Sequence, residues 1–142
     1  MAGTNAKRQG NLYEQKFVVK SLEHNLEPHL SPGDYLPHDV LVTNPAGKVF
    51  KVQVKGTACE MKDPTRQSNR YRITAASGCH SKVALDCTKV DVLAAYIEPM
   101  DIWYIIPCLQ LMGRKAAWFY PANEKSKAFY ERFKENWGLF LT

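Results

Sequence analysis

A chain of 142 residues with 45% hydrophobic and 23% charged residues is long enough to close one core without metal or disulfide staples, and too apolar to be disordered. Nineteen Lys and Arg against fourteen Asp and Glu give a formal net charge of +5, a balance that suits a polyanionic partner, nucleic acid ahead of an anionic membrane surface. The most apolar stretch, Val90 to Pro107, is broken by Asp91, Glu98 and Asp101, so it is no membrane span. The first thirty residues hold no apolar signal-peptide core, and the expectation is a cytoplasmic protein. Cys59, Cys79, Cys87 and Cys108 form no C-x-x-C pair, so free thiols are expected, and Cys79-His80 with Cys87 matches no standard zinc spacing.

In chain order, Asn11 to Leu26 reads as a helix, with a start as early as Asn5. Tyr13/Phe17 and Val18/Leu22/Leu26, each spaced by four, build one broad apolar face. Ser31-Pro32-Gly33-Asp34 is a turn. His38 to Thr43 and Val49 to Thr57 read as strands around Asn44-Pro45-Ala46-Gly47, and Glu60 to Asn69 as a polar loop holding Pro64. Tyr71 to Thr74 is a short strand and Ser81 to Cys87 a short helix. Val90 to Ile97 and Ile102 to Ile106 are apolar strands joined at Glu98-Pro99-Met100-Asp101. Asn123 caps a last helix running to Trp137, with Phe129, Phe133 and Trp137 as its stripe and Gly138 as its stop. The order predicts one α/β domain over residues 1–142, with a central mixed β-sheet flanked by helices.

The first hairpin carries the chemistry. From Phe50 to Lys55 the alternation is strict: Phe50, Val52 and Val54 face one way, Lys51, Gln53 and Lys55 the other. Pro45-Ala46-Gly47 suits a three-residue loop, a type I turn led by Pro and ended by a left-handed Gly. Asn44 then pairs with Lys48, and the same register sets Asp39 opposite Gln53 with Lys55 on the same face. A two-residue loop would set Asp39 opposite Val52 and dismantle the cluster. A carboxylate, an amide oxygen and an ammonium on one face can bind a hard divalent cation and offset charge developing on a phosphoryl group.

Glu14 on the first helix, His38-Asp39-Val40-Leu41-Val42 and Val52-Gln53-Val54-Lys55 resemble the signature of the PD-(D/E)xK nuclease superfamily. The resemblance implies a restriction-endonuclease-like core and places Asp39 at the metal-binding aspartate, Gln53 at the acidic position, Lys55 at the lysine and Glu14 at the helix glutamate. Pro37-His38-Asp39 approximates the Pro-Asp start with one residue inserted, and Gln53 departs from the usual acid. A Q-x-K version is found in small intron-encoded homing endonucleases, which the chain also resembles in length. The implied activity is site-specific double-strand cleavage of DNA with Mg²⁺ or Mn²⁺ bound by Asp39, Gln53 and Glu14. A junction-resolving nuclease is the alternative.

From Lys48 to Lys89 nine basic residues face only Glu60, Asp63 and Asp86, so the positive charge concentrates beside the cluster. Lys51, Lys62, Arg66, Arg70, Arg72 and Lys82 are the candidate DNA contacts. Cutting both strands implies a homodimer or homotetramer, for which Phe129, Tyr130, Trp137 or the Val90–Pro107 sheet would supply an apolar interface. The rival classes are a nuclease-like fold that only binds DNA, its metal site weakened by Gln53, and an RNA-binding or assembly module using Tyr71, Trp103, Trp118 and Tyr120.

Overall fold

The computed structural model describes residues 2–33, 35–65, 69–77 and 82–142. Helix α1 (Ala2–Glu23) passes through Gly10 and ends where Asn25 takes a left-handed φ of 61°. Its buried stripe is Tyr13, Phe17 and Ser21, and the first buried residue after it is Leu26. Leu22, expected on the inner face, is 58% exposed, because the stripe follows Tyr13–Phe17 and Leu22 lies a residue beyond it.

Five strands form the central sheet in the order β1 (Glu27–Leu30), β2 (Val40–Thr43), β3 (Val49–Thr57), β8 (Val92–Ile97) and β9 (Ile102–Pro107). β3 pairs antiparallel with β2 and parallel with β8, so the sheet is mixed and the domain α/β, as its sequence pattern implies. The edge strand β1 carries Pro28 and is largely exposed, so it shows no alternation by which to read it from sequence. β8 is buried along its whole length, since both of its faces are covered.

Alternation along β8 sorts the core into two clusters. On one face Val92, Ala94 and Tyr96 join Val52, Val54, Trp103 and Ile105 beneath Tyr13 and Phe17 of α1 and Trp137 and Phe140 of the C-terminal segment. On the other, Leu93, Ala95 and Ile97 join Tyr104 and Ile106 beneath a second, smaller sheet rather than a helix. That sheet has the order β10 (Ala116–Phe119), β5 (Asn69–Thr74), β4 (Glu60–Lys62), and it buries Tyr71, Ile73, Ala117 and Phe119. Part of the expected Glu60–Asn69 loop is therefore strand, with residues 66–68 outside the described ones.

Three expectations are corrected. The short helix at Ser81–Cys87 is instead strand β7 (Val83–Ala84), paired with β6 (Ala76–Ser77); Ser81 and Asp34 of the predicted turn lie outside the described residues. Cys87 and Cys108 form a disulfide that ties the chain entering β8 to the chain leaving β9, while Cys59 is a free, exposed thiol. Cys79 and His80 lie outside the described residues, and the disulfide removes Cys87 from any zinc set.

The third correction is the helix over Asn123–Trp137, which is replaced by two 3₁₀ segments, Phe129–Phe133 and Trp137–Leu141. Between them Lys134 is extended and Glu135 is left-handed at φ 49°. Glu135 donates its N–H to the Trp103 carbonyl at 2.7 Å and accepts the Trp103 N–H on its carboxylate at 3.0 Å. The unpaired backbone of edge strand β9 thus captures the chain and overrides its helical periodicity. Crossing that edge sends Phe133 to one face of the sheet and Trp137 to the other. Tyr130, Trp137 and most of Val90–Pro107 are consumed by the core and cannot supply the apolar interface expected of them.

The hairpin loop closes as its chemistry demands. Gly47 has φ 88°, and the buried Asn44 side chain accepts the N–H groups of Ala46 and Lys48 and donates to the Phe140 carbonyl at 2.8 Å. Asn44→Ala should cost about 2–3 kcal/mol, because it strands buried backbone groups in both the turn and the C-terminal segment. A lowered denaturant midpoint at unchanged m-value is the expected readout.

Candidate active site

The β2–β3 ladder runs Val40↔Val52, Leu41↔Lys51, Val42↔Phe50 and Thr43↔Val49, the register set by the three-residue loop. One residue further back β2 leaves the ladder. Asp39 donates its N–H to the Val52 carbonyl at 2.9 Å, and its Oδ2 accepts the Val54 N–H at 2.9 Å. The carboxylate takes the place of the next backbone acceptor, which fixes it against β3 between Gln53 and Lys55. Ser31 holds this departure from behind: its N–H donates to the Asp39 carbonyl at 2.9 Å and its hydroxyl to the His38 carbonyl at 2.8 Å.

Beyond Val52, β3 continues to Thr57 and, among the described residues, pairs with β8 alone, from Gln53↔Leu93 to Thr57↔Ile97. The gap left by β2 is a cleft of about 260 Å³, roofed by α1. Glu14, Asp39, Gln53 and Lys55 all line it, so residues from three separate segments meet as the sequence predicts. Gln9, Gly10, Tyr13 and Gly56 line it too, and sequence reading passed over them. Their signal was present: Gln9, Gly10, Tyr13 and Glu14 share one helical face, and a glycine inside a strand marks a close approach.

Lys55 is half-buried, and burial lowers its ammonium pKa; Asp39 counters that, Lys82 adds repulsion, and Glu14 counters it further. The cleft therefore sets two carboxylates against a partly desolvated cation, with a second cation close enough to be felt. Asp39, Glu14 and the Gln53 amide are hard oxygen donors of the kind that suit Mg²⁺ or Mn²⁺. Among the described residues no three His, Cys, Asp or Glu side chains cluster, so the amide is needed to complete an oxygen set.

The six candidate DNA contacts separate. Lys62 and Arg72 are exposed on β4 and β5, and exposed Lys82 lies near Lys55. Lys51 sits at the opposite end of β3, its Nζ near the Thr88 carbonyl at 3.4 Å. Arg66 lies outside the described residues. Arg70 is largely spoken for: its guanidinium stacks 3.8 Å over the Trp118 ring and pairs at 3.8 Å with buried Asp63. Tyr71, Trp103 and Tyr120 are buried in the core, so of the aromatics offered for RNA stacking only Trp118 is partly open.

The profile of the family described as PD-(D/E)XK endonuclease matches residues 4–129. No curated protein matches the chain. Among solved structures, that of a bacterial homing endonuclease, I-Ssp6803I, is similar in fold, with a TM-score of 0.74 and 19% identity over 95% of this chain and 92% of that one. The chain belongs to the PD-(D/E)XK endonuclease family, and its core is restriction-endonuclease-like. It is a nuclease by family, and the cleft between α1, β2 and β3 is its candidate active site.

Asp63 anchors the small sheet. Thr65 donates to it from both hydroxyl and N–H, which outweighs burial, and Tyr120 and Arg70 add to the effect, so its pKa falls to about 2 from 3.8. The unfolded chain binds that proton more tightly than the folded one. The stabilisation is therefore complete above 3.8 and is lost as the pH falls through about 2. Denaturant melts of wild type and Asp63→Asn should differ most at neutral pH and converge in acid.

Proposed function

We propose that the chain is a metal-dependent DNA endonuclease that makes site-specific, homing-type double-strand cuts. The observation that carries this reading is the convergence of Glu14, Asp39, Gln53 and Lys55 on one cleft in a chain of this family. The homing-type subtype rests on the likeness to a homing endonuclease fold and on the Q-x-K form of the motif. A homodimer or homotetramer would bring two such clefts to one duplex.

Asp39, Gln53 and Glu14 would hold Mg²⁺ or Mn²⁺. When bound, the cation supplies Lewis acidity toward a phosphoryl oxygen and lowers the pKa of water. Asp39 is fixed by the Val54 N–H, so its carboxylate is aimed before any ligand arrives. The Lys55 ammonium offsets negative charge on the phosphoryl group as water adds to phosphorus and the bond to the leaving sugar oxygen breaks. Lys62, Arg72 and Lys82 are the exposed cations available to the flanking phosphates.

The second reading, a DNA binder without activity, is favoured by the amide at Gln53 and by the lack of a three-acid cluster among the described residues. Cleavage of target DNA in Mg²⁺ or Mn²⁺ decides between them. On the nuclease reading Asp39→Ala and Lys55→Ala each abolish cutting and retain binding. Gln53→Glu keeps an oxygen at the same reach, stays active and works at lower metal concentration, whereas Gln53→Leu is inactive. Equal rates for wild type and Gln53→Leu would sink the role given to Gln53, and no cutting by wild type would leave the binder. Replacing Lys62, Arg72 and Lys82 together by Ala should flatten the salt dependence of binding by up to about three units of slope.

A further inference from the structure

We propose that Glu98, which does not line the cleft and stands far from Glu14 in sequence, is a positioning residue of the active site, acting through Tyr13 to aim Glu14. The proposal rests on the nuclease reading above. Glu98 opens the short 3₁₀ turn Glu98–Met100 between β8 and β9. Its Oε2 accepts the Tyr13 hydroxyl, and the Gln9 amide reaches the same oxygen at 3.4 Å. Gln9 and Tyr13 lie one turn apart, so two points on one helical face are tied to a single carboxylate just beyond the end of β8.

The tie is tight because the neighbouring strand has been cleared for it. Tyr13 packs against Gly56, where an added Cβ would come within 2.5 Å of the ring. Gly56 pairs across the ladder with Tyr96, whose ring meets that of Tyr13 edge-on at 5.5 Å. Gly56 directly follows Lys55, and Tyr13 directly precedes Glu14. The contact that seats the helix therefore lies one residue from a cleft side chain on each element. Apolar packing of Tyr13 and Phe17 sets which side of α1 meets the sheet. The hydrogen bonds to Glu98 set its rotation more finely, and that rotation governs how Glu14 is aimed toward Asp39 and Lys55.

Direct Mn²⁺ binding to the full chain, read as free Mn²⁺ by electron paramagnetic resonance, tests this alongside DNA cutting. Tyr13→Phe, which keeps the ring, and Glu98→Ala should each raise the half-saturating Mn²⁺ concentration about tenfold. Glu98→Gln, which keeps an acceptor oxygen, should stay within about twofold of wild type. In a Glu14→Ala background Tyr13→Phe should add nothing further, because it works through that carboxylate. The proposal is overturned if Tyr13→Phe and Glu98→Ala lower only the melting temperature and leave half-saturation in place. It is equally overturned if their shift persists without Glu14. Should the wild type bind no Mn²⁺ and cut no DNA, the nuclease reading fails by itself. Crystal structures of the two variants then decide the positioning claim: a Glu14 carboxylate displaced from Lys55 supports it, and an unmoved one overturns it.

Discussion

Every feature of the cleft depends on the length of one hairpin loop. Three residues between Asn44 and Lys48, ending in a left-handed Gly47, fix the pairing of β2 with β3. Side chains on a strand alternate with a period of two, so one residue more or less would turn Asp39 to the apolar face with Val52 and Val54. Asn44 guards the loop by satisfying its inner N–H groups and by bonding to the C-terminal Phe140 carbonyl. The register that shapes the cleft is thereby coupled to the 3₁₀ segment Trp137–Leu141.

A second constraint is the unequal length of the strands. β3 is nine residues long and β2 only four, and α1 roofs the stretch where β2 is missing. Polar side chains can gather there because β3 is paired on one side alone, while Val52 and Val54 on its opposite face stay in the core. Lys55 is half-buried in the same cleft. Burial lowers its ammonium pKa and the carboxylates of Asp39 and Glu14 counter it, so the partly desolvated cation does not stand alone in a dry site.

The far side of the molecule shows how tertiary contacts overrule local pattern. Phe129, Phe133 and Trp137 are spaced as a helical stripe, yet β9 draws Lys134 and Glu135 into its own hydrogen bonding. Phe133 and Trp137 are then delivered to opposite faces of the central sheet. Aromatic residues that suggest an interface in one dimension become the two halves of a core in three. Cys87 and Cys108 become partners in the same way, because β8 and β9 form an antiparallel hairpin that returns the chain to its starting edge.

The sequence by itself determined the first hairpin, its register and the shared face of Asp39, Gln53 and Lys55, because turn chemistry and a two-residue period act over a few neighbouring residues; Glu14 was legible only through the resemblance of the motifs to the family signature. It also determined the long apolar strands, whose burial on both faces leaves continuous hydrophobic runs. Only the tertiary structure decided that Asp39 would leave its ladder and bond to Val54, where Ser31 grips the chain from just beyond a strand the pattern hides. Only it decided that Arg70 would be held by Asp63 and Trp118, that the second face would be covered by a sheet, and that Tyr13 would meet Glu98 across Gly56. Those outcomes turn on backbone groups and side chains distant in sequence competing for the same partners, and no local period records which of them wins.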